Sequence, residues 1–583
     1  MKTSRVSVTA RGKVGADAKF TGQLARASQA AIAAVFTLLI HAAAAAPAQG
    51  ERGIAATAHP LATSAAIDAM RRRGNAVDAA VAAALTLGVV DGSNSGIGGG
   101  CFILVRTAGG ECLAIDGRET APAAASREMF VHDGKADTRL SQTGPTATAT
   151  PGALAAYELV LSRHGKLPLK THLLAAAEIA ERGFHIDARY SARIKSVAEE
   201  LARFESSRVI FLKSDGQPLA DGDLLKQPDL ARTYRHIAEQ GIGWFYDGPF
   251  AQATAQWMKE NGGILTVEDF KRYRPEVRDP VRSTYRGCEI VSFPPPSSGG
   301  VHLLQILNIL EHFDLRALGP NSADTIHVAT EAMKLAFADR AHWLGDPAFA
   351  PVPRGLIAKD YAKSLAGRIR MEQATVVPTH GTPDRAAEDV FKHTTHLCTA
   401  DADGNWVALT ATINTSFGSK VVVPGTGVVL NNEMDDFAIQ PGVPNAFNLV
   451  GGEANAVAPG KRPLSSMSPA IVLKDGQPIL AAGAAGGPTI ITQTLLALID
   501  MLDFGMDVEA AVASPRFHHQ WKPDELRIET SIAAEVRAAL RLRGHTLSEV
   551  PAFGACQAIA RDPDGRVFTG AADPRIGGAA AGW

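Results

Sequence analysis

The pattern of apolar and polar positions predicts a chain that mixes buried helices with β-hairpins. The segment 76–90 is apolar almost all round, which predicts a fully buried helix that Asn75 can cap. Helical patterns dominate residues 150–270, and β-rich runs return at 281–293. Two further β-rich runs flank Asp403-Gly404-Asn405, which is a strong signal for a hairpin turn. Helices and paired strands are therefore both expected to contribute to the core.

The N-terminal segment has the layout of a secretory signal. Residues 1–28 are rich in lysine and arginine, and an apolar run follows over 30–40. Small residues then offer cleavage after Ala46 or Ala48. A membrane anchor is the alternative, but the apolar run is short for a membrane span. We therefore predict that residues 1–48 form a signal peptide and that the mature protein is exported, to the periplasm or the extracellular space.

Composition narrows the class of protein. The 583 residues are 46% hydrophobic and 20% charged, with a formal net charge of −2, which is ordinary for a globular protein and gives no sign of nucleic-acid binding. The five cysteines show no Cys-x-x-Cys spacing, so neither a zinc site nor a disulfide framework is indicated. Cys101 and Cys112 could face each other across a hairpin, although two buried thiols are the expected state.

The pair Thr394-Thr395 begins a β-rich run directly behind a polar, loop-like segment at 381–392. A strand that starts behind a polar tether could follow a cleavage site. A threonine hydroxyl needs an adjacent base, and a threonine at a new N-terminus has one in its own α-amine, whose pKa is about 8. The residues alone leave open the simpler interpretation that two β-branched residues merely begin a strand.

Several strings around this run resemble the start of the small subunit of γ-glutamyltransferases, which are N-terminal nucleophile hydrolases made as one self-cleaving chain. The matching strings are Thr394-Thr395-His396, Asp403-Gly404-Asn405, Thr412-Ile413-Asn414-Thr415, Phe417-Gly418 and Asn431-Asn432-Glu433-Met434-Asp435-Asp436-Phe437. The resemblance covers nearly all of residues 55–580. It implies an α+β fold, a four-layer αββα sandwich that a large subunit (49–393) and a small subunit (394–583) build jointly.

The resemblance also implies the reacting groups. Cleavage would fall between His393 and Thr394, and Thr394 would then be the nucleophile, held by a hydrogen bond from Thr412. Gly486 and Gly487 lie just before a predicted helix, where backbone N–H groups can stabilise an oxyanion. No metal or organic cofactor is implied.

A γ-glutamyl group carries a free carboxylate and a free ammonium at the end remote from the reacting carbonyl. By resemblance the carboxylate is bound by Arg118, Ser465 and Ser466, and arginine suits this task because its fork is bidentate. The ammonium is assigned to Asp436, helped by Asn414 and Glu433. The loop 441–452 corresponds to a lid, in which Phe447 stands where related lids often carry tyrosine.

The expected function is transfer or hydrolysis of the γ-glutamyl group of glutathione and other γ-glutamyl amides, with amino acids or peptides as acceptors. The expected assembly is a heterodimer of the two subunits of one precursor, without nucleic acid and without a membrane span in the mature protein. One alternative is an acylase of the same superfamily that acts on glutaryl or other acyl amides. Asp436 argues against it, because a glutaryl group has no ammonium. The other alternative is an exported binding protein without chemistry.

Overall fold

The computed structural model describes residues 47–383, 395–440 and 442–583. The predictions for the signal peptide before residue 47, and for the bond between His393 and Thr394, therefore lie outside the described residues. Within those residues, no helix is long and apolar enough to cross a membrane.

Two large antiparallel sheets organise the chain, and we call them sheets A and B. The strands of sheet A, in spatial order, are Ala48–Gly50, Phe568–Ala572, Ala555–Arg561, Gln477–Ala485, Ala470–Lys474, Cys288–Ser292 and Val281–Tyr285. Those of sheet B are Ala579–Gly582, Gly53–Thr57, Thr395–Asp401, Trp406–Thr412, Gly100–Arg106, Cys112–Gly117 and Glu276–Arg278. Each sheet thus contains strands from both sides of position 394.

Smaller sheets and helices complete the fold. The smaller sheets are Phe517–His518 with Leu526–Glu529 and Leu547–Val550, Val131–His132 with Lys135–Ala136, and Phe184–His185 with Leu224–Leu225. The α-helices are Pro60–Arg71, Ala76–Val90, Thr138–Gln142, Ala153–His164, Leu169–Arg182, Ala188–Ser196, Ala198–Ala202, Glu205–Phe211, Pro228–Gln240, Gly243–Tyr246, Pro249–Asn261, Val267–Arg272, Ser298–Leu310, Leu315–Leu318, Ala323–Trp343, Lys359–Ala366, Thr489–Leu502, Val508–Ala513 and Ala534–Leu542. The 3₁₀ turns are Pro145–Ala147, Arg354–Ile357, Glu433–Asp436 and Glu453–Asn455.

Among the described residues, the three largest apolar cores hold the layers together. The core between the sheets contains Phe102 and Trp406 from sheet B and Ile471 from sheet A, and Phe102 stacks on Phe293 with ring centroids 4.0 Å apart. A second core joins sheet B to helices such as Ala76–Val90. A third joins sheet A to the helices Ser298–Leu310, Ala323–Trp343 and Thr489–Leu502. Because both faces of each sheet are covered, every residue of the central strands Thr395–Asp401 and Trp406–Thr412 is buried.

Local sequence signals account for several of these elements. The helix Ala76–Val90 is buried at every position, and Asn75 forms a capping box with Asp78, as the sequence predicts. The strands Thr395–Asp401 and Trp406–Thr412 pair across the predicted Asp403-Gly404-Asn405 turn. The suggestion that Cys101 and Cys112 face each other is wrong, because Cys101 lies opposite Gly117 and Cys112 opposite Arg106. All five cysteines are buried free thiols.

Candidate active site

The central hairpin of sheet B brings two threonines, Thr395 and Thr412, to one end of the sheet. Thr395, the first described residue after the predicted cleavage bond, pairs with Ala411, the neighbour of Thr412. Thr412 Oγ accepts a hydrogen bond from the backbone N–H of Asn414 at 2.7 Å. Since that oxygen acts as an acceptor there, its own proton remains available to a neighbouring oxygen. Thr394 and His393 themselves lie outside the described residues.

Asn414 turns away from the strand in a left-handed conformation with φ of 73°, which asparagine tolerates better than most residues. Its Nδ2 donates to the backbone oxygen of Asn432 at 3.0 Å, which ties the hairpin to the acidic segment that follows. Its buried Oδ1 has no hydrogen-bond partner among the described residues. The side-chain oxygen is therefore available to a bound donor group.

Gly486 and Gly487 connect the last residue of a sheet A strand to the helix Thr489–Leu502. Their φ angles are 127° and 63°, a region that L-residues with side chains rarely adopt. Neither backbone N–H donates a hydrogen bond to another described residue. Both glycines line a cavity of about 560 Å³, so these donors stand at its wall, on the positive end of the helix dipole.

Arg118, Glu433 and Asp436 form a fully buried ion cluster. Arg118 Nη1 lies 2.5 Å from Glu433 Oε1, and Nη2 lies 2.7 Å from Asp436 Oδ2. The arginine also donates to the backbone oxygens of Pro463 and Leu464, at 3.2 and 3.3 Å. The two carboxylates point the same way because they are three residues apart in one 3₁₀ turn. The structure therefore joins the predicted carboxylate-binding and ammonium-binding residues in a single cluster.

Burial changes the protonation of this cluster. It raises the pKa of Glu433 well above its usual range; Arg118 opposes this shift, and the negative charges of Glu119 and Asp436 reinforce it. Burial also lowers the pKa of Arg118, but Glu433, Glu119 and Asp436 together raise it by more. The arginine thus stays charged, and the cluster places ionisable groups of both signs together at fully buried positions.

Ser465 and Ser466 lie in a turn held by a neighbouring segment. The backbone N–H and the hydroxyl of Ser298 both donate to Ser465 O, at 2.9 and 2.7 Å. Both hydroxyls of the Ser465-Ser466 pair are buried and have no partner among the described residues. Two unsatisfied hydroxyls at one turn are unusual in a folded core, where buried polar groups are nearly always paired. They are suited to a ligand carboxylate.

Arg340 is a buried cation that the sequence analysis missed. It lies on the helix Ala323–Trp343, and its Nε donates to Ser298 Oγ at 3.2 Å, while its Nη2 has no partner among the described residues. Burial lowers its pKa to about 9, opposed by the charge of Asp436. Only its tertiary contact with Ser298 identifies Arg340 as part of the site. An arginine within a long helix belongs to no sequence motif that could have predicted this role.

The predicted lid contacts the acidic turn. Asn445 Nδ2 donates to Asp436 Oδ1 at 3.3 Å, and the Ala446 N–H donates to Asp435 Oδ2 at 3.0 Å. Ala446 and Phe447 line the cavity together with Asn414, Gly486 and Gly487. The five ion-cluster and serine residues are not among the residues that line it. The site therefore comprises a cavity beside the central hairpin and a buried polar cluster, and the lid reaches both, because Asn445 contacts Asp436 while Ala446 lines the cavity.

One further group of possible metal ligands occurs among the described residues, formed by His327, Glu331 and His545. His327 Nδ1 lies 2.8 Å from His545 Nε2. Glu331 is paired with Lys334, whose Nζ lies 3.0 Å from Glu331 Oε1. The carboxylate of this group thus already has a cation beside it.

These features define a class of protein: an enzyme with a mixed α+β fold, two large antiparallel sheets, and a polar pocket next to the central hairpin of one of them. A family model described as Gamma-glutamyltranspeptidase matches residues 62–583. The chain therefore belongs to the gamma-glutamyltranspeptidase family, and the family predicted from the sequence strings is confirmed.

The chain is similar both to proteins named glutathione hydrolase and to proteins named acylase. The chain is 44% identical to the glutathione hydrolase proenzyme of Escherichia coli (strain K12) over 532 residues, 91% of each protein. It is 41% identical to the acylase ACY 1 proenzyme of Pseudomonas sp. (strain SE83) over 542 residues, 91% of this chain and 94% of that protein. The crystal structure of cephalosporin acylase from Bacillus halodurans matches with a TM-score of 0.83 and 31% identity, covering 92% of this chain and 97% of that one.

Proposed function

We propose that this protein is a self-cleaving γ-glutamyltransferase that hydrolyses glutathione and other γ-glutamyl amides or transfers their γ-glutamyl group. The observation that carries the proposal is the buried cluster of Arg118, Glu433 and Asp436. A γ-glutamyl group brings an ammonium and a carboxylate into the same pocket, so its recognition needs fixed charges of both signs. The unpaired hydroxyls of Ser465 and Ser466 add donors for the carboxylate.

Maturation begins with attack of the Thr394 hydroxyl on the carbonyl of His393. The peptide nitrogen is displaced to give an ester, and water then cleaves that ester. The products are a large subunit of residues 49–393 and a small subunit of residues 394–583 with a free α-amine on Thr394. Strands from both sides of position 394 in each sheet support a heterodimer that stays assembled after this cut. The three apolar cores support the four-layer αββα arrangement.

In turnover, the α-amine of Thr394 takes the proton from the Thr394 hydroxyl as this oxygen attacks the γ-carbonyl. The free O–H of Thr412 orients the nucleophile, and the N–H groups of Gly486 and Gly487 stabilise the oxyanion. The protonated α-amine of Thr394 then gives its proton to the leaving nitrogen as the carbon–nitrogen bond breaks, and an acyl-enzyme forms. Water releases glutamate from it, whereas the amine of an amino acid or dipeptide gives the transfer product. Neither step needs a metal or an organic cofactor.

The signal-like N-terminal segment supports export, and we propose that residues 1–48 are removed and that the mature enzyme works in the periplasm or outside the cell. N-terminal sequencing of protein purified from culture would test both cuts at once. A large fragment that starts near residue 49 and a small fragment that starts at Thr394 are the expected result. Protein that is active as an intact precursor would contradict the mechanism.

An acylase is the second candidate function, and the acylase names among the relatives favour it. The two candidates differ in what they require of Glu433 and Asp436, because a glutaryl group has only a carboxylate at this end. Comparing the turnover of γ-glutamyl-p-nitroanilide and glutaryl-p-nitroanilide separates them. We expect the γ-glutamyl anilide to react faster; faster glutaryl cleavage would establish the acylase, and an uncut chain without product would indicate a binding protein.

A further inference from the structure

The cavity is lined by two arginine side chains that the proposed glutamyl-binding residues do not include. Arg189 and Arg193 line the same cavity as Gly486 and Gly487. Both arginines lie on the helix Ala188–Ser196, and their spacing of four residues puts them on the same face. Two guanidinium groups thus border the cavity that holds the reacting groups.

Arg193 has unused hydrogen-bonding capacity. Its Nη1 donates to Asn94 Oδ1 and lies 3.5 Å from Ser93 Oγ. Both contacts use the same nitrogen, and no carboxylate among the described residues lies within ion-pair distance of the guanidinium. Nε and Nη2 are therefore left for an anion in the cavity. Arg189 is less free, since its Nε lies 3.4 Å from Asp187 Oδ2.

A continuous polar chain connects Arg193 to the residue that follows the predicted nucleophile. Asn94, which accepts from Arg193, donates from Nδ2 to Asp91 Oδ1 at 2.7 Å. Thr395 Oγ donates to Asp91 Oδ2 at 3.4 Å. The cavity wall is thus acidic next to Thr395 and basic farther away. This order suits a dipeptide whose amine end lies at the reacting centre and whose carboxylate end points outward.

We propose that Arg193, assisted by Arg189, binds the terminal carboxylate of the dipeptide that leaves glutathione, and of a dipeptide acceptor in transfer. This inference rests on the proposed γ-glutamyl chemistry and names the subsite on the far side of the reacting carbonyl. An extended dipeptide spans about 7 Å, which a cavity of about 560 Å³ can hold. Arginine binds a carboxylate through two parallel N–H donors, so the terminal carboxylate fixes the orientation of the dipeptide.

The substrate itself offers the first test, which needs no variant. Wild-type enzyme should show a kcat/KM about three- to tenfold higher for glutathione than for glutathione with its glycine carboxylate amidated, as for a partly exposed charge pair. In transfer, the KM for glycylglycine should be lower than that for glycylglycine amide by a similar factor. Equal values for acid and amide would overturn the inference.

The second test uses matched variants. Arg193→Gln should lower kcat/KM for glutathione about three- to tenfold and remove the preference for the acid, with Arg189→Gln acting more weakly. Turnover of γ-glutamyl-p-nitroanilide, whose leaving group has no carboxylate, should stay within roughly twofold of wild type. Lys195→Gln removes a charge from the exposed face of the same helix and should change neither rate.

The outcomes separate this inference from the proposed function. A parallel fall with glutathione and the anilide in Arg193→Gln would mean that the arginine supports the fold or the chemistry rather than the carboxylate. If Lys195→Gln lowered kcat/KM for glutathione as much as Arg193→Gln, the effect would come from the net charge of the helix and not from a contact with the carboxylate. Absence of γ-glutamyl turnover in the wild type would refute the proposed function first, and this subsite with it.

Discussion

Replacing Asp436 with asparagine should weaken the binding of γ-glutamyl donors much more than the binding of glutaryl donors. Asp436 Oδ2 lies 2.7 Å from Arg118 Nη2 in a fully buried site, and we propose that the substrate ammonium uses the same carboxylate. A hydrogen bond to a charged group contributes about 1.5–3 kcal/mol. Since 1.4 kcal/mol is a factor of ten, the KM for γ-glutamyl-p-nitroanilide should rise about 10- to 100-fold.

The rest of the cluster should tolerate this change. Burial is the main cause of the raised pKa of Glu433, and the negative charge of Asp436 adds to it. Asparagine removes that repulsion, so Glu433 should ionise more readily and keep Arg118 paired. We therefore expect Asp436→Asn to fold and to cleave itself, as seen by two bands on a denaturing gel. Deleting the side chain in Asp436→Ala would be harsher, because the loss of one partner from a buried ion pair costs about 3–5 kcal/mol.

The assay compares two donors and two neighbouring carboxylates. Initial rates on the γ-glutamyl and glutaryl anilides give KM for wild type, Asp436→Asn and Asp435→Asn. Asp435 is the matched control because it accepts from Ser141 Oγ at 2.7 Å and from the lid backbone, and is not assigned to substrate. The reasoning is refuted if Asp436→Asn keeps the wild-type KM for the γ-glutamyl donor, or if both donors lose affinity equally.

Three further changes test other parts of the site and the fold. Thr394→Ala should abolish self-cleavage, measured on a denaturing gel, and turnover, measured with the anilide. Thr394→Ser should retain some of each activity. Cleavage in the alanine variant would exclude Thr394 as the attacking group. Gly486→Ala should lower kcat by as much as about 100-fold with little change in KM, because a Cβ there would meet Thr489 Oγ at 2.8 Å and disturb an oxyanion donor; an unchanged kcat would remove Gly486 from that role. Burial raises the pKa of Asp500 to about 7 from an ordinary value of 3.8, so wild-type protein should lose up to a few kcal/mol of stability as pH rises from about 4 to 7. Asp500→Asn should escape that loss, so its Tm should exceed that of wild type most at pH 8 and least near pH 4, and a pH-independent difference would contradict the assignment.

Local features of the fold could be predicted because they depend on neighbouring residues. The capping box of Asn75 and Asp78 and the turn at Asp403-Gly404-Asn405 are examples, since a few adjacent side chains decide each of them. The pairing register of Cys101 and Cys112 could not be predicted in this way. A shift of register changes which residues face each other, and the register follows from the whole sheet rather than from the hairpin turn alone.

The candidate site shows the same division. Motif resemblance identified Arg118 and Asp436, but it assigned them to two different groups of the substrate, the carboxylate and the ammonium, and did not show that they bind each other. Arg340 and Arg193 escaped notice because their partners, Ser298 and Asn94, are distant in sequence and approach only when helices pack against the sheets. Contacts of this kind carry no spacing pattern that a single sequence can reveal.

The mixing of strands from both sides of position 394 makes each predicted subunit dependent on the other from synthesis onward. A separately expressed N-terminal piece would lack Thr395–Asp401 and Trp406–Thr412, so Gly53–Thr57 and Gly100–Arg106 would each have a bare hydrogen-bonding edge. Such edges recruit other chains and aggregate. Co-expression of two truncated genes should therefore yield far less active enzyme than one continuous gene. Synthesis as a single precursor lets the strands of the two halves pair in the correct register before the chain is cut.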